Sequence, residues 1–170
     1  GASLDYMEEN KFTFSKMRIN EKILKKFNNS LYEGYSGLNK FELLFAYALD
    51  KTGDTWHRNP SQSGYKVPLL DNGDTQNFYM DFLVWKNGLV FSLDTKGSHL
   101  KNDALNRKLF DIKEERETKI LTRFITEWKY KRRDEIIVKE GYTVWSFKNG
   151  QEKAIICDTI EEAVQKCLNE

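Results

Sequence analysis

Asn87-Gly88 restricts this chain more than any other feature, because it sits between two runs rich in β-branched and aromatic residues, Phe78–Lys86 and Leu89–Lys96. A two-residue type I′ turn needs φ > 0 at both central positions, and Asn-Gly meets that need best. Such a turn sets the register of everything before and after it. Lys86 then pairs with Leu89, Trp85 with Val90, Leu83 with Ser92, and Asp81 falls opposite Asp94. Lys96, two residues beyond Asp94, points from the same face. One face is expected to carry Asp81, Asp94 and Lys96 beside Leu83, Trp85 and Val90. The other carries Phe78, Met80, Phe82, Val84, Leu89, Phe91 and Leu93, which is a core face.

Directly opposed cross-strand residues have Cβ atoms roughly 4.5–5.5 Å apart, and like charges there are destabilising. A hard divalent cation held by both carboxylates reverses the sign of that interaction. The alternative is a solvated face on which Lys96 neutralises one aspartate. Against it, Leu83, Trp85 and Val90 share the face and suggest that it is largely covered.

Further motifs stand in a fixed order around this hairpin. They are Phe41-Glu42 with Ala46 and Leu49-Asp50, Trp56-x-Arg58-Asn59-Pro60, Gly64-Tyr65, Phe78-Tyr79-x-Asp81-Phe82, and Leu93-Asp94-Thr95-Lys96-Gly97. A carboxylate ending one strand, then Asp-x-Lys on its hairpin partner, resembles the PD-(D/E)xK nuclease superfamily. The ordered text is similar to the C-terminal endonuclease domain of type III restriction, helicase-fused subunits, over roughly residues 38 to 148. Met80 departs from that pattern, standing where the family usually has Pro.

The resemblance implies an α/β, restriction-endonuclease-like fold. In it, a central mixed β-sheet containing the 65–70, 78–85 and 88–96 strands is flanked by helices on both faces. It implies metal-dependent hydrolysis of DNA phosphodiester bonds, with Glu42, Asp81, Asp94 and Lys96 as the catalytic set. Asp81, Asp94 and the Thr95 carbonyl would hold Mg²⁺, for which Mn²⁺ would substitute. Lys96 would orient or deprotonate a water, and Glu42 would bind a water or a second metal. DNA is the implied partner, together with an upstream helicase region or helicase and methyltransferase subunits. A non-catalytic nucleic-acid-binding or docking domain with the same fold is the rival reading.

Elsewhere the chain supports these expectations more loosely. At 170 residues it is long enough for a real core. Its net charge of +1 argues against a wholesale polyelectrolyte binder. Basic residues are nonetheless clustered, with Lys96, Lys101, Arg107 and Lys108 in one group and Lys129, Lys131, Arg132 and Arg133 in another. Arg58, Lys101, Arg107 and Lys108 are the candidate phosphate contacts; a solvated charged face is the plainer account of such clusters. No apolar run reaches membrane-span length, and Cys157 and Cys167 lack metal-ligand spacing, as expected for reduced core thiols of a cytoplasmic protein. Neither a G-x-x-x-x-G-K-[ST] loop nor a G-x-S-x-G elbow is present.

Residues 1–37 are read as an N-terminal helical and connecting segment, with a short helix at Ile19–Phe27, and 38–170 as the nuclease-like domain. Leu38–Asp50 reads as a buried helix, apolar almost all round, with Asn39 and Glu42 forming a capping box. That box is the structural explanation for Glu42, beside the catalytic one. Lys51–Gly64 reads as a polar connection in which Trp56 packs. Asn102 or Asp103 opens a helix to about Glu115, with His99 in the preceding loop. Ile120–Ile125 and Tyr142–Phe147 read as strands, 129–135 as a loop or helix, and Ala154–Cys157 as a last strand before a C-terminal helix.

Overall fold

The computed structural model describes residues 24–60, 63–71, 74–96, 120–148 and 151–169. The expected hairpin is present. Strands β6 (Phe82–Lys86) and β7 (Leu89–Lys96) pair antiparallel, with Lys86 opposite Leu89, Trp85 opposite Val90 and Leu83 opposite Ser92. Asn87 and Gly88 take φ of 52° and 75°, the left-handed pair that a type I′ turn requires.

This hairpin lies within a six-stranded mixed sheet of order β10-β9-β8-β7-β6-β3. Its other members are β3 (Thr55–Arg58), β8 (Ile120–Lys131), β9 (Ile137–Lys148) and β10 (Gln151–Cys157). The β7–β8 pair is parallel and the others are antiparallel. Two helices, α1 (Lys40–Lys51) and α2 (Ile160–Cys167), touch each other and the sheet. Phe45 and Leu49 from α1, with Ala163, Val164 and Cys167 from α2, join Phe82, Val84, Phe91, Leu93, Leu121, Ile125 and Val144 in one buried cluster. Each large apolar side chain buried there contributes about 2–3 kcal/mol by removal from water. The described helices thus share one face. The helix expected at 102–115 lies outside the described residues.

Several expectations need correction. The strand near 65–70 is β4 (Lys66–Asp71), and it pairs with β5 (Asp74–Tyr79) as a separate two-stranded hairpin, not as part of the central sheet. The 78–85 run is broken at Met80-Asp81, where the buried Asn59 amide takes the Met80 carbonyl at 2.7 Å and the Asn59 N–H takes the Asp81 carbonyl at 2.8 Å. Strand β3, in the segment read as a connection, pairs with β6 through Arg58 opposite Phe82. Lys25–Lys26 is a short strand (β1) paired with Gly34–Tyr35 (β2), not the end of a helix. Phe27 and Tyr35 then enter the core around Trp56. Helix α1 carries the expected capping box but is not buried all round, since Leu44 and Tyr47 are exposed. The basic segment 129–131 and residues 137–141 are strand, extending β8 and β9 beyond the expected limits.

Candidate functional site

Four elements bring Glu42, Arg58, Asp81, Asp94 and Thr95 to one end of the sheet. The first turn of α1 supplies Glu42, the end of β3 supplies Arg58, and the start of β6 with the end of β7 supplies Asp81, Asp94 and Thr95. The β6–β7 ladder ends at Phe82 opposite Leu93, so Asp81 sits one residue outside it, at the bend.

That bend changes how the two aspartates meet. The Asp81 N–H donates to Asp94 Oδ1 at 3.0 Å. In return, Asp81 Oδ2 accepts from the Thr95 N–H at 2.9 Å and from Thr95 Oγ1 at 2.7 Å. Each carboxylate is therefore held by the strand that carries the other. Hydrogen bonds to a charged acceptor are roughly twice as strong as neutral ones, so this bracing fixes both side chains firmly. Asp94 is fully buried, whereas the Asp81 side chain keeps 18% of its surface.

Arg58 joins the acids. Its Nη2 lies 2.6 Å from Glu42 Oε2, and its Nη1 lies 3.6 Å from Asp81 Oδ1. Nη1 also donates to the carbonyls of Asn59 at 2.7 Å and Asp81 at 2.9 Å. The guanidinium rests over the Phe82 ring, 5.6 Å from its centroid. The candidate phosphate contact is thus an internal counter-charge, with its side chain only 16% exposed.

The capping account of Glu42 holds, and its second carboxylate oxygen has a further partner. Oε1 accepts the Asn39 N–H at 3.1 Å, closing the capping box, while Oε2 pairs with Arg58. Glu42 reaches the aspartates through Arg58. Among the described residues, no group of three His, Cys, Asp or Glu side chains is gathered to hold a metal.

Lys96 ends β7 opposite Thr126 and has the same strand parity as Asp94, but its side chain lies outside the described parts. Lys101, Arg107, Lys108 and His99 fall outside the described residues. Trp56 packs as expected, fully buried.

Three supporting residues were given no role by the sequence. Asn59 also donates to the Tyr65 carbonyl and accepts the Tyr65 N–H, both at 2.7 Å, so one buried amide ties three backbone segments at the site. Its position between Arg58 and Pro60 in a quoted motif was the available signal. Asp50 accepts from the N–H groups of Asn28 and Asn29 and from Trp56 Nε1 at 3.0 Å, anchoring the strand that carries Arg58. His57 is buried with Nδ1 2.7 Å from the Tyr35 hydroxyl. Burial, and then the neighbouring Arg58 charge, pushes its pKa down to about 3, so the ring is neutral near pH 7.

No family model, characterised protein or solved structure matches this chain.

Proposed function

We propose that this chain is a restriction-endonuclease-like domain that hydrolyses phosphodiester bonds of DNA with a divalent metal. The observation that carries this reading is the reciprocal bracing of Asp81 and Asp94 at the end of a hairpin whose next residues are Thr95-Lys96. Two carboxylates brought this close gain nothing from each other, and their placement makes sense if a cation is their shared partner.

The donor chemistry fits Mg²⁺ or Mn²⁺: hard oxygens from Asp81 and Asp94, with the Thr95 carbonyl next in the chain as a further oxygen donor. Such an ion, when bound, supplies charge neutralisation and a more acidic water. The backbone bonds hold one oxygen of each aspartate and so fix the direction of the other. Arg58 neutralises Glu42 and the outer side of Asp81, limiting repulsion before any ligand arrives. Lys96, by strand parity with Asp94, is the residue to orient a water and offset charge on phosphorus. The setting would be a type III-like restriction system in the cytoplasm, in which a helicase region or helicase and methyltransferase subunits act with this domain.

A second reading also has a specific observation behind it. The Glu42–Arg58–Asp81 chain balances two of the acids without any metal, as suits a non-catalytic DNA-binding or docking domain of the same fold. Nicking of supercoiled plasmid in Mg²⁺, compared between wild type and Asp94→Asn, separates the two. Mg²⁺-dependent nicking lost in the variant supports the nuclease, while no nicking by wild type supports the docking domain.

A further inference from the structure

Strand β8 runs parallel to β7, in register from Val90 opposite Ile120 to Lys96 opposite Thr126, so the two strands reach the acid-bearing end of the sheet together. There β7 is described no further, but β8 continues to Lys131 and returns as β9 from Ile137. On its other side, the pairing of β9 with β10 stops at Tyr142 opposite Cys157. Residues 127–141 therefore form a two-stranded ribbon extending past the described sheet, and every residue from 129 to 140 is exposed. Seven residues from Thr126 to the tip at Arg133, at ~3.3 Å each, give it a reach of roughly 20 Å.

A bare two-stranded ribbon is marginal in water, so its root must be reinforced. Trp128 does this. It lies across Gly141, where a Cβ would come within 2.5 Å of the ring, and its Nε1 donates to the Tyr142 carbonyl at 3.3 Å. Tyr130 meets the Trp128 ring edge-on at 5.9 Å between centroids, and the Lys139 ammonium lies 5.9 Å from that ring's centroid.

Lys129, Lys131, Arg132, Arg133 and Lys139 outnumber Glu127, Asp134, Glu135 and Glu140 on the ribbon by one, and beyond its root at Glu127 the excess is two. Lys131–Glu135 at 3.6 Å and Arg132–Asp134 at 2.8 Å are exposed pairs, weak enough to exchange for phosphate. Lys129, Arg133 and Lys139 stand outside those pairs. Tyr130 is 66% exposed and Val138 56% exposed, adding apolar surface to the cationic one.

We propose that the β8–β9 ribbon is a duplex-DNA-binding arm, set beside the acid cluster, that lies in the major groove and takes phosphates on Lys129, Arg133 and Lys139. The groove is about 12 Å wide and admits a two-stranded ribbon. The arm leaves the sheet at the end where a scissile phosphate would have to approach Asp81 and Asp94. This assignment rests on the nuclease reading for the identity of its ligand.

The test is fluorescence anisotropy of the full chain with a labelled 20-base-pair duplex in Ca²⁺, across a salt series. Two variants are compared with wild type: Lys129→Ala/Arg133→Ala/Lys139→Ala, and Lys129→Glu/Arg133→Glu, which leaves the Trp128–Lys139 contact intact. Both should bind at least tenfold more weakly at low salt. The triple variant should flatten the log–log salt dependence by about 2–3, since each lost phosphate contact removes about 0.9. Wild-type affinity and slope in both variants would overturn the proposal. So would equal binding of single strands, or a wild-type dimer that Tyr130→Ser/Val138→Ser abolishes while duplex binding persists. A wild type that binds duplex through the arm yet never nicks it overturns the catalytic reading alone. One that nicks equally with and without the arm charges overturns the arm alone.

Discussion

Replacing Arg58 with methionine removes the guanidinium between Glu42 and Asp81 while keeping a stem that can cross the Phe82 ring. The pair with Glu42 is short and nearly buried, at 2.6 Å with side chains 16% and 8% exposed. Breaking a buried pair by deleting one partner costs about 3–5 kcal/mol, because the surviving charge is left behind. The residual exposure of this pair puts the expectation at the lower end. Carbonyls of Asn59 and Asp81 also lose a donor, at about 1 kcal/mol each where water does not replace it. A loss of about 3 kcal/mol corresponds to a fall of roughly 6–12 °C in Tm for a domain of this size. Thermal melts in EDTA measure it directly. Glu42→Gln in the Arg58→Met background should then cost far less than Glu42→Gln alone, giving a coupling energy of about 1–3 kcal/mol. If the acids form a cation site, Mg²⁺ should recover more Tm in Arg58→Met than in wild type, since the cation meets no competing guanidinium. At a hundred times Kd the recovery is about 2.7 kcal/mol. A Tm fall worth under about 1 kcal/mol, or strictly additive substitutions, would refute the view of Arg58 as the counter-charge of this cluster.

Asp94→Asn keeps an acceptor for the Asp81 N–H but removes a buried charge beside Asp81, so it should melt no lower than wild type in EDTA and gain almost nothing from Mg²⁺. His57 has a folded pKa of about 3 against 6.5 when unfolded, so the unfolded chain takes up the proton first as pH falls. Stability from this residue is fully present above pH 6.5 and is lost towards pH 3, by about 2 kcal/mol at pH 5; denaturant titrations should show this slope in wild type and its absence in His57→Asn. Gly141→Ala should cost about 1–3 kcal/mol, because a Cβ there would lie 2.5 Å from both the Trp128 ring and the Cys157 carbonyl. Chemical denaturation of that variant checks it.

What was legible in the sequence was local. Asn87-Gly88 encodes its own turn, and the side-chain period of two carries the register from that turn to Phe82 and Leu93. Asn39 and Glu42 likewise satisfy each other within one helical turn. The counting failed where distant residues intervened. Nothing near Asp81 signals that Asn59 will capture the Met80 and Asp81 backbones and end the ladder one residue early. Thr55–Arg58 is too short and polar to read as a strand, and it becomes one by pairing with β6. Arg58 was read as a candidate phosphate contact, and its acidic partners were not legible because they lie 16 residues before it and 23 after. The β8–β9 ribbon resembled a charged loop for a related reason: being exposed on both faces, it lacks the apolar alternation that marks a half-buried strand.

Plasmid nicking bears most directly on the function. Wild type should convert supercoiled plasmid to the nicked form in Mg²⁺ or Mn²⁺ and not in EDTA. Asp94→Asn, melting no lower than wild type in EDTA, should have no activity with either metal. Nicking that survives in Asp94→Asn, or a folded wild type that binds duplex DNA in Mg²⁺ and leaves it intact, would contradict the assignment of Asp81 and Asp94 as a hydrolytic pair.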